Sequence, residues 1–160
     1  MPKGKWPICT TNSNTWGEGS NPDGKQSGAK RLIESIGTHL FPEVPDFLAI
    51  QETRLLNQQQ RTSAESWAHD HGYKLHFGPS RITGTTLLST SGGVAVGCRN
   101  HIGMEVLTPA TATQEAWQAA LIHALIPKGF ILISLYLRNG LDPVILEEIA
   151  VFLKAQNGNG

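Results

Sequence analysis

A glutamate stands directly after a nearly unbroken apolar run of strand length. Residues 46–51 read DFLAIQ, which indicates a buried strand, and Glu52 and Arg54 follow it. Because a strand end fixes the direction of the side chains beyond it, a carboxylate there suits magnesium, which binds few protein oxygens and keeps several waters. Arg54 would then hold that neighbourhood in place. The alternative is a solvated Glu52–Arg54 ion pair without a function.

Two asparagines follow another short apolar and β-branched run, at residues 6–11. Asn12 and Asn14 are two residues apart, so on an extended chain their amides point the same way. Such a pair suits a phosphate oxygen, which it would hydrogen-bond, or a metal ion, which it would approach through its carbonyl oxygens. The alternative is a loop that simply begins with Asn and Ser.

A third polar group leaves the very apolar stretch at residues 130–137. Tyr136, Arg138 and Asn139 stand at its end. A phenol and an amide at this spacing both donate hydrogen bonds to a phosphate, and a tyrosine can carry a hydrogen bond near developing charge. The alternative is a strand-end aromatic followed by an Asn-Gly turn.

The segments that must position these residues predict an α+β fold. Helical spacing of apolar residues or a helix-compatible polar composition predicts helices at residues 28–40, 58–71 and 142–156. Apolar or β-branched runs bounded by turn formers predict strands at residues 6–11, 46–51, 73–77, 93–98, 103–107, 117–126 and 130–137. Several of these strands follow one another without helices between them. The order therefore favours a mixed sheet with helices on one side over a doubly wound parallel sheet.

Composition indicates one ordinary domain of 160 residues. Thirteen basic and thirteen acidic residues balance, which argues against a strong electrostatic grip on nucleic acid, although contact with one phosphate needs only local charge. Cys9 and Cys98 lie in apolar runs and are interpreted as buried hydrophobes rather than a disulfide. The chain opens without a secretory leader, and residues 119–137 are interrupted by polar residues, which predicts an intracellular protein with no membrane span.

Taken in order, the motifs resemble the endonuclease/exonuclease/phosphatase family, which is DNase I-like. That family opens with a strand ending in Asn, continues with a strand ending in Gln-Glu-Thr and later has a Tyr-x-x-Asn strand end. Here these motifs are Asn12, Gln51-Glu52-Thr53 and Tyr136-Leu137-Arg138-Asn139. Pro45-Asp46 and Gly92-Gly93-Val94-Ala95 are similar to the family as well, and the resemblance spans residues 5–156.

The resemblance implies a fold and a site. The fold is the N-terminal half of a four-layer α/β/β/α sandwich, with a mixed, mostly antiparallel sheet and flanking helices. Glu52 would bind the catalytic magnesium, with manganese as an alternative, and Asn12 would belong to the inner hydrogen-bond network. Tyr136 and Asn139 would contact the scissile phosphate.

Three further positions have supporting roles by the same resemblance. Asn14 stands where apurinic-site nucleases of the family often carry an acidic residue close to the metal, so it is a candidate ligand or phosphate contact. Arg54 and Arg138 would support phosphate binding, and Arg138 replaces a frequent proline. Domains encoded by retroelements share this layout.

Two later family motifs, Gly-Asp-x-Asn and Ser-Asp-His, have no counterpart in the sequence. None of the aspartates is followed two residues later by Asn, and Asp70-His71 lies too early in the chain to substitute. Residues 1–160 are therefore expected to form a partial domain that is truncated before the Gly-Asp-x-Asn strand, with one face of its apolar strands uncovered.

Two hypotheses about function remain open. The first is a magnesium-dependent phosphodiester hydrolase or nuclease, inactive as this fragment, that acts on nucleic acid or another phosphodiester when a complementary C-terminal half is supplied. DNA, RNA, phosphoinositide and nucleotide substrates all stay open. The second is a non-catalytic remnant that binds phosphate or a partner.

Overall fold

The computed structural model describes residues 7–17, 28–84, 90–137 and 142–158. Two candidate site residues, Arg138 and Asn139, lie outside these ranges. The described helices are α1 (Gly28–Ser35), α2 (Gln58–Asp70) and α3 (Asp142–Gly158). The described strands are β1 (Ile8–Asn12), β2 (Phe47–Gln51), β3 (Tyr73–Phe77), β4 (Arg81–Ile82), β5 (Thr90–Ser91), β6 (Val94–Arg99), β7 (Gly103–Val106), β8 (Trp117–His123) and β9 (Phe130–Leu135).

The first sheet carries the strands that lead to the asparagine and glutamate motifs. Its order is β1-β2-β6-β3. β1 runs parallel to β2, and this register sets Asn12 beside Gln51. β6 is antiparallel to both β2 and β3. Because β1 and β2 are parallel, the residues that follow them emerge at the same end of the sheet.

The second sheet is antiparallel and has the order β7-β8-β9. Its register pairs Trp117 with Leu135, which brings Tyr136 to the end of the sheet where β8 begins. There the Tyr136 N–H donates to the Ala116 carbonyl at 2.7 Å. The short antiparallel pair β4–β5 stands apart from both larger sheets.

The two larger sheets pack face to face, with helices outside them. Phe47 and Cys98 of the first sheet meet Ala120 and Ile122 of the second. The other face of the first sheet, with Leu48 and Ile50, packs against α1 and α2 through a core whose helical members are Ala29, Ile33, Ala64 and Ala68. The other face of the second sheet packs on α3 through Trp117, Ala119, Ile145 and Phe152. The layers are therefore helices, sheet, sheet and helix, and the α+β class is confirmed.

The first predicted helix ends earlier than the spacing of apolar residues indicated. α1 stops at Ser35, whereas Leu40 had been expected to continue it. Gly37 adopts a left-handed φ of 79°, and its N–H donates to the Phe41 carbonyl at 2.7 Å. The chain therefore turns away, and Leu40 is 68% exposed.

The expectation of an uncovered sheet face is wrong for the central strands of the first sheet. β2 and β6 are buried on both sides, because the second sheet covers one face and the two helices cover the other. The open parts of the two larger sheets are their edge strands β1, β3, β7 and β9, each of which has a single neighbour among the described strands.

Both cysteines are free thiols, as predicted. Cys98 is buried in the core between the sheets, whereas Cys9 is only partly buried and packs against the core between the first sheet and the helices. Within the described part of the chain, no helix is long and apolar enough to cross a bilayer.

Candidate functional site

Glu52 is presented by backbone that L-residues rarely adopt. Its φ is 57°, and Arg54 and Asn14 have φ values of 58° and 57°. Four non-glycine residues in the described ranges have a positive φ, and these are three of them. The fourth, Leu125, lies between β8 and β9. A left-handed conformation costs an L-residue about 1–2 kcal/mol. Such conformations persist where the surrounding structure enforces them, and they cluster at functional sites.

Hydrogen bonds to the segments that precede β6 and follow β1 hold this conformation. The N–H groups of Thr53 and Arg54 donate to the carbonyls of Gly93 and Gly92 at 3.0 and 3.1 Å. The Thr53 carbonyl accepts from the Trp16 N–H at 2.9 Å. Thr53 itself is fully buried. The loop after β2 is therefore clamped from both sides, with Glu52 and Arg54 flanking a buried residue.

Tyr136 reaches Glu52 across the gap between the two sheets. A hydrogen bond to the Glu52 carboxylate raises the pKa of the Tyr136 phenol, and burial and the negative charge of Glu52 act in the same direction. The Arg54 charge acts against them and lowers this pKa. Both Glu52 and Tyr136 are only half-buried. The structure thus brings the second and third sequence motifs together at an accessible position.

The asparagine motif joins the same site through Arg54. The Arg54 guanidinium donates to the Asn14 Oδ1 at 2.8 Å, and the Asn14 N–H donates to the Asn12 Oδ1 at 3.1 Å. All three residues are exposed. Arg54, whose charge acts on Tyr136, therefore links two amides to the site at the end of the sandwich where β1 and β2 stop.

A polar bridge ties the two sheets together beneath the site. The Ser134 hydroxyl, which is fully buried, donates to the Ile50 carbonyl at 3.2 Å and accepts from the Gln51 Nε2 at 3.3 Å. Gln51 Nε2 also contacts the Thr10 Oγ1 at 3.3 Å. The bridge fixes β9, and with it Tyr136, against the strand that ends at Glu52. Sequence reasoning missed Ser134, although a serine inside the apolar run FILISL was the available signal.

The donor set fits a cation held through one carboxylate. Within the described ranges, no three His, Cys, Asp or Glu side chains assemble as a metal-binding group. Magnesium in phosphate sites commonly uses one or two carboxylates and takes its remaining ligands from water and phosphate. Glu52 meets that requirement. The Asn14 Oδ1 accepts one hydrogen bond from Arg54 and keeps a second lone pair, and the expected role of Asn14 as a ligand stays a prediction.

Five of the seven candidate residues of the sequence analysis are described, and all five lie at one site: Asn12, Asn14, Glu52, Arg54 and Tyr136. Thr53, Gly92 and Gly93, which belong to the motifs quoted for the family resemblance, support the site rather than face it. No family model, no curated protein and no solved structure matches this chain.

Proposed function

We propose that this site binds a phosphodiester together with magnesium, as the N-terminal part of a magnesium-dependent phosphodiesterase or nuclease site of the endonuclease/exonuclease/phosphatase type. The observation that carries the proposal is the meeting of Glu52 and Tyr136 from two different sheets, on backbone held in left-handed conformations. A hydrogen-bonded carboxylate–phenol pair at a strained, accessible strand end suits ligand binding better than it suits stability.

The residues divide the binding between a negative and a positive side. Glu52 offers hard oxygens for the cation, and a bound magnesium ion would neutralise phosphate charge and polarise the phosphorus–oxygen bonds. Arg54 is a planar cation with several N–H donors, which match phosphate oxygens. Because Asn14 accepts a hydrogen bond from one of those N–H groups, it fixes the direction in which the guanidinium points. Tyr136 adds a hydroxyl donor at the same place.

Hydrolysis needs a base that activates water, and the family motifs expected to supply that base have no counterpart in the sequence. In-line attack on a phosphodiester requires an activated water as well as a bound phosphate. The aspartate and histidine motifs that provide the base in the resembling family are not found here, and a set of catalytic residues that acts as a unit loses several powers of ten in rate when one is removed. The proposal is therefore binding by this chain, and hydrolysis only with a complementary partner.

The sheet edges indicate where such a partner would join. β9 contacts β2 and β6, and β8 contacts β6, so the edges of β9 and β1 that have no neighbour among the described strands lie on the same side of the sandwich. Asn12 ends β1 and Tyr136 follows β9. A polypeptide that extends both sheets by strand addition would therefore bring its own side chains next to Glu52.

Magnesium binding in the presence of a non-hydrolysed phosphodiester tests the proposal. Calorimetric titration of the chain with Mg²⁺ and a dinucleoside phosphorothioate should give saturable binding. Glu52→Gln should abolish the magnesium dependence, because it removes the carboxylate that the proposal assigns to the cation. Glu43→Gln, at an exposed position on the segment before β2, is the charge-matched control and should bind as the unchanged chain does.

The outcomes separate the two hypotheses. Absence of binding by the unchanged chain, or equal binding by Glu52→Gln, would refute the proposed site. Magnesium-dependent cleavage of a chromogenic phosphodiester by the chain alone, lost in Glu52→Gln, would show that the base is present and that no partner is needed. Binding without cleavage, with cleavage restored by a C-terminal half of a family member, is the expected result.

A further inference from the structure

A large cleft opens between α3, the segment that follows β7 and the start of β8. Its volume is about 620 Å³, which lies within the range of small-molecule pockets. None of the five described site residues lines it. Most of its lining is apolar, and Val144 and Val151 of α3 are 55% and 61% exposed there. The flank of α3 that lines the cleft is thus unusually apolar for a surface.

The floor of the cleft is aromatic. Trp117 and Phe152 line it, and their rings lie 5.4 Å apart between centroids at an angle of 54°. Both side chains are almost fully buried, so the surrounding core fixes their orientation. Aromatic rings in such a position give the apolar part of a ligand a rigid contact surface.

A carboxylate is built into the same cleft. The Glu148 Oε2 accepts from the Trp117 Nε1 and from the Thr113 N–H, each at 2.9 Å, and the Oε1 accepts from the Thr113 hydroxyl at 2.6 Å. Burial opposes ionisation of Glu148, but the hydrogen bonds from Thr113 and Trp117 outweigh it and lower its pKa. Glu148 is therefore a fixed anion rather than a mobile surface group.

The charges that line the cleft are all of one sign. Glu147, which is exposed, joins Glu148, and the described lining residues include no lysine, arginine or histidine. An apolar cavity with fixed negative charge disfavours an acid and gives a neutral molecule no electrostatic gain. A molecule with an apolar body and an ammonium group satisfies both the lining and the charge.

We propose that the cleft between α3 and the second sheet binds a small amphipathic organic amine, its ammonium near Glu147 and Glu148 and its apolar body against Trp117 and Phe152. This site is separate from the phosphodiester site. Glu52→Gln should therefore leave it unchanged, and the failure of one proposal would not affect the other.

Three probes with the same carbon skeleton isolate the role of charge. 4-Phenylbutylamine, 4-phenylbutanol and 4-phenylbutyrate differ only in the terminal group. Binding to the full chain is measured by calorimetry, and its location by the indole N–H resonance of Trp117, which donates to Glu148. The amine should bind about fivefold or more tightly than the alcohol, the carboxylate should bind most weakly, and the Trp117 resonance should shift.

Two variants and one control test the location. Ala155→Trp places a large ring at an exposed lining position and should abolish binding without disturbing the core. Glu147→Gln should reduce the preference for the amine by about two- to fivefold. Glu34→Gln removes an equally exposed helical carboxylate from α1 and should change nothing.

The proposal is overturned by any of three results. They are no binding of the amine at millimolar concentration, equal affinity for the amine and the alcohol, and amine binding that survives Ala155→Trp. Absence of amine binding would mean that the cleft does not bind an amine. Equal affinity for the amine and the alcohol would mean that only neutral apolar contact holds the ligand. Binding that survives Ala155→Trp would place the amine outside the cleft.

Discussion

Replacing Gly93 with alanine is expected to disturb the backbone on which Glu52 and Arg54 depend. Gly93 has a φ of 79°, its carbonyl accepts from Thr53 at 3.0 Å, and its N–H donates to the Glu115 carbonyl at 2.9 Å. A Cβ at this position would lie 2.8 Å from the Thr53 Oγ1 and 3.3 Å from the Arg54 backbone nitrogen. Both contacts belong to the clamped loop after β2.

Gly72 provides a matched control for the magnitude. Its φ is 94°, and a Cβ there would meet no atom within 4 Å. Gly72→Ala should therefore cost only the left-handed strain, about 1–2 kcal/mol. Gly93→Ala should add the overpacking, about 1–3 kcal/mol, because Thr53 is β-branched and fully buried and cannot rotate its hydroxyl away freely. The entropy that alanine removes from the unfolded chain is common to both variants and cancels.

Urea unfolding followed by tryptophan fluorescence measures both free energies of unfolding. The expected result is that Gly93→Ala loses more stability than Gly72→Ala by about 1–3 kcal/mol. Magnesium binding should also weaken in Gly93→Ala and not in Gly72→Ala, because only the former displaces the Glu52–Arg54 backbone. Equal destabilisation in the two variants would refute the rigid clamp, and equal magnesium binding would separate the clamp from the site.

Three further predictions concern single side chains. Glu52→Gln should lower the pKa of Tyr136, because the charged acceptor of its hydrogen bond is removed. NMR titration of the two tyrosine rings measures this pKa. An unchanged Tyr136 titration would show that Glu52 and Tyr136 are not in contact. Ser134→Ala should reduce the free energy of unfolding by about 1–3 kcal/mol, since it leaves the Ile50 carbonyl and Gln51 Nε2 without this buried partner. Urea unfolding measures this loss. An unchanged free energy of unfolding would contradict the hydrogen-bonded bridge between the two sheets. The pKa of Glu148 is lowered in the folded chain, so its contribution to stability is present above the ordinary glutamate pKa and is lost as pH falls through the lower, folded value. Glu148→Gln should flatten the fall in unfolding free energy over that window, and an unchanged slope would count against the three hydrogen bonds.

The fold was largely predictable because burial leaves a period in the sequence. The alternation of Tyr73–Phe77 is buried at every second residue, and the continuous apolar run of β2 is buried throughout its apolar part, as periodicity predicts. The pair β4–β5 was missed because each strand has two residues that are exposed or only partly buried. So short a segment carries no period. The layered packing of two sheets followed from the family resemblance rather than from periodicity.

The candidate residues could be chosen from the sequence, but their geometry could not be predicted from it. Asn12, Glu52 and Tyr136 could be found as polar groups at strand ends. Whether the end of β9 meets the end of β2 depends on how the two sheets face each other. That arrangement rests on contacts between distant segments, such as Ser134 with Ile50 and Gln51. No local pattern in either strand records it.

The left-handed residues show most clearly where local preference and tertiary structure disagree. Asn tolerates that region, but Glu52 and Arg54 have no local reason to adopt it. Their conformation is imposed by Gly92 and Gly93, which accept hydrogen bonds from Thr53 and Arg54. Glycine at position 52 or 54 would relieve the backbone strain, but it would remove the carboxylate of Glu52 or the guanidinium of Arg54. A chain selected for stability alone gains from that exchange. Strained non-glycine residues on both sides of a buried threonine therefore support the proposed site, which needs the carboxylate of Glu52 and the guanidinium of Arg54 at this sheet end.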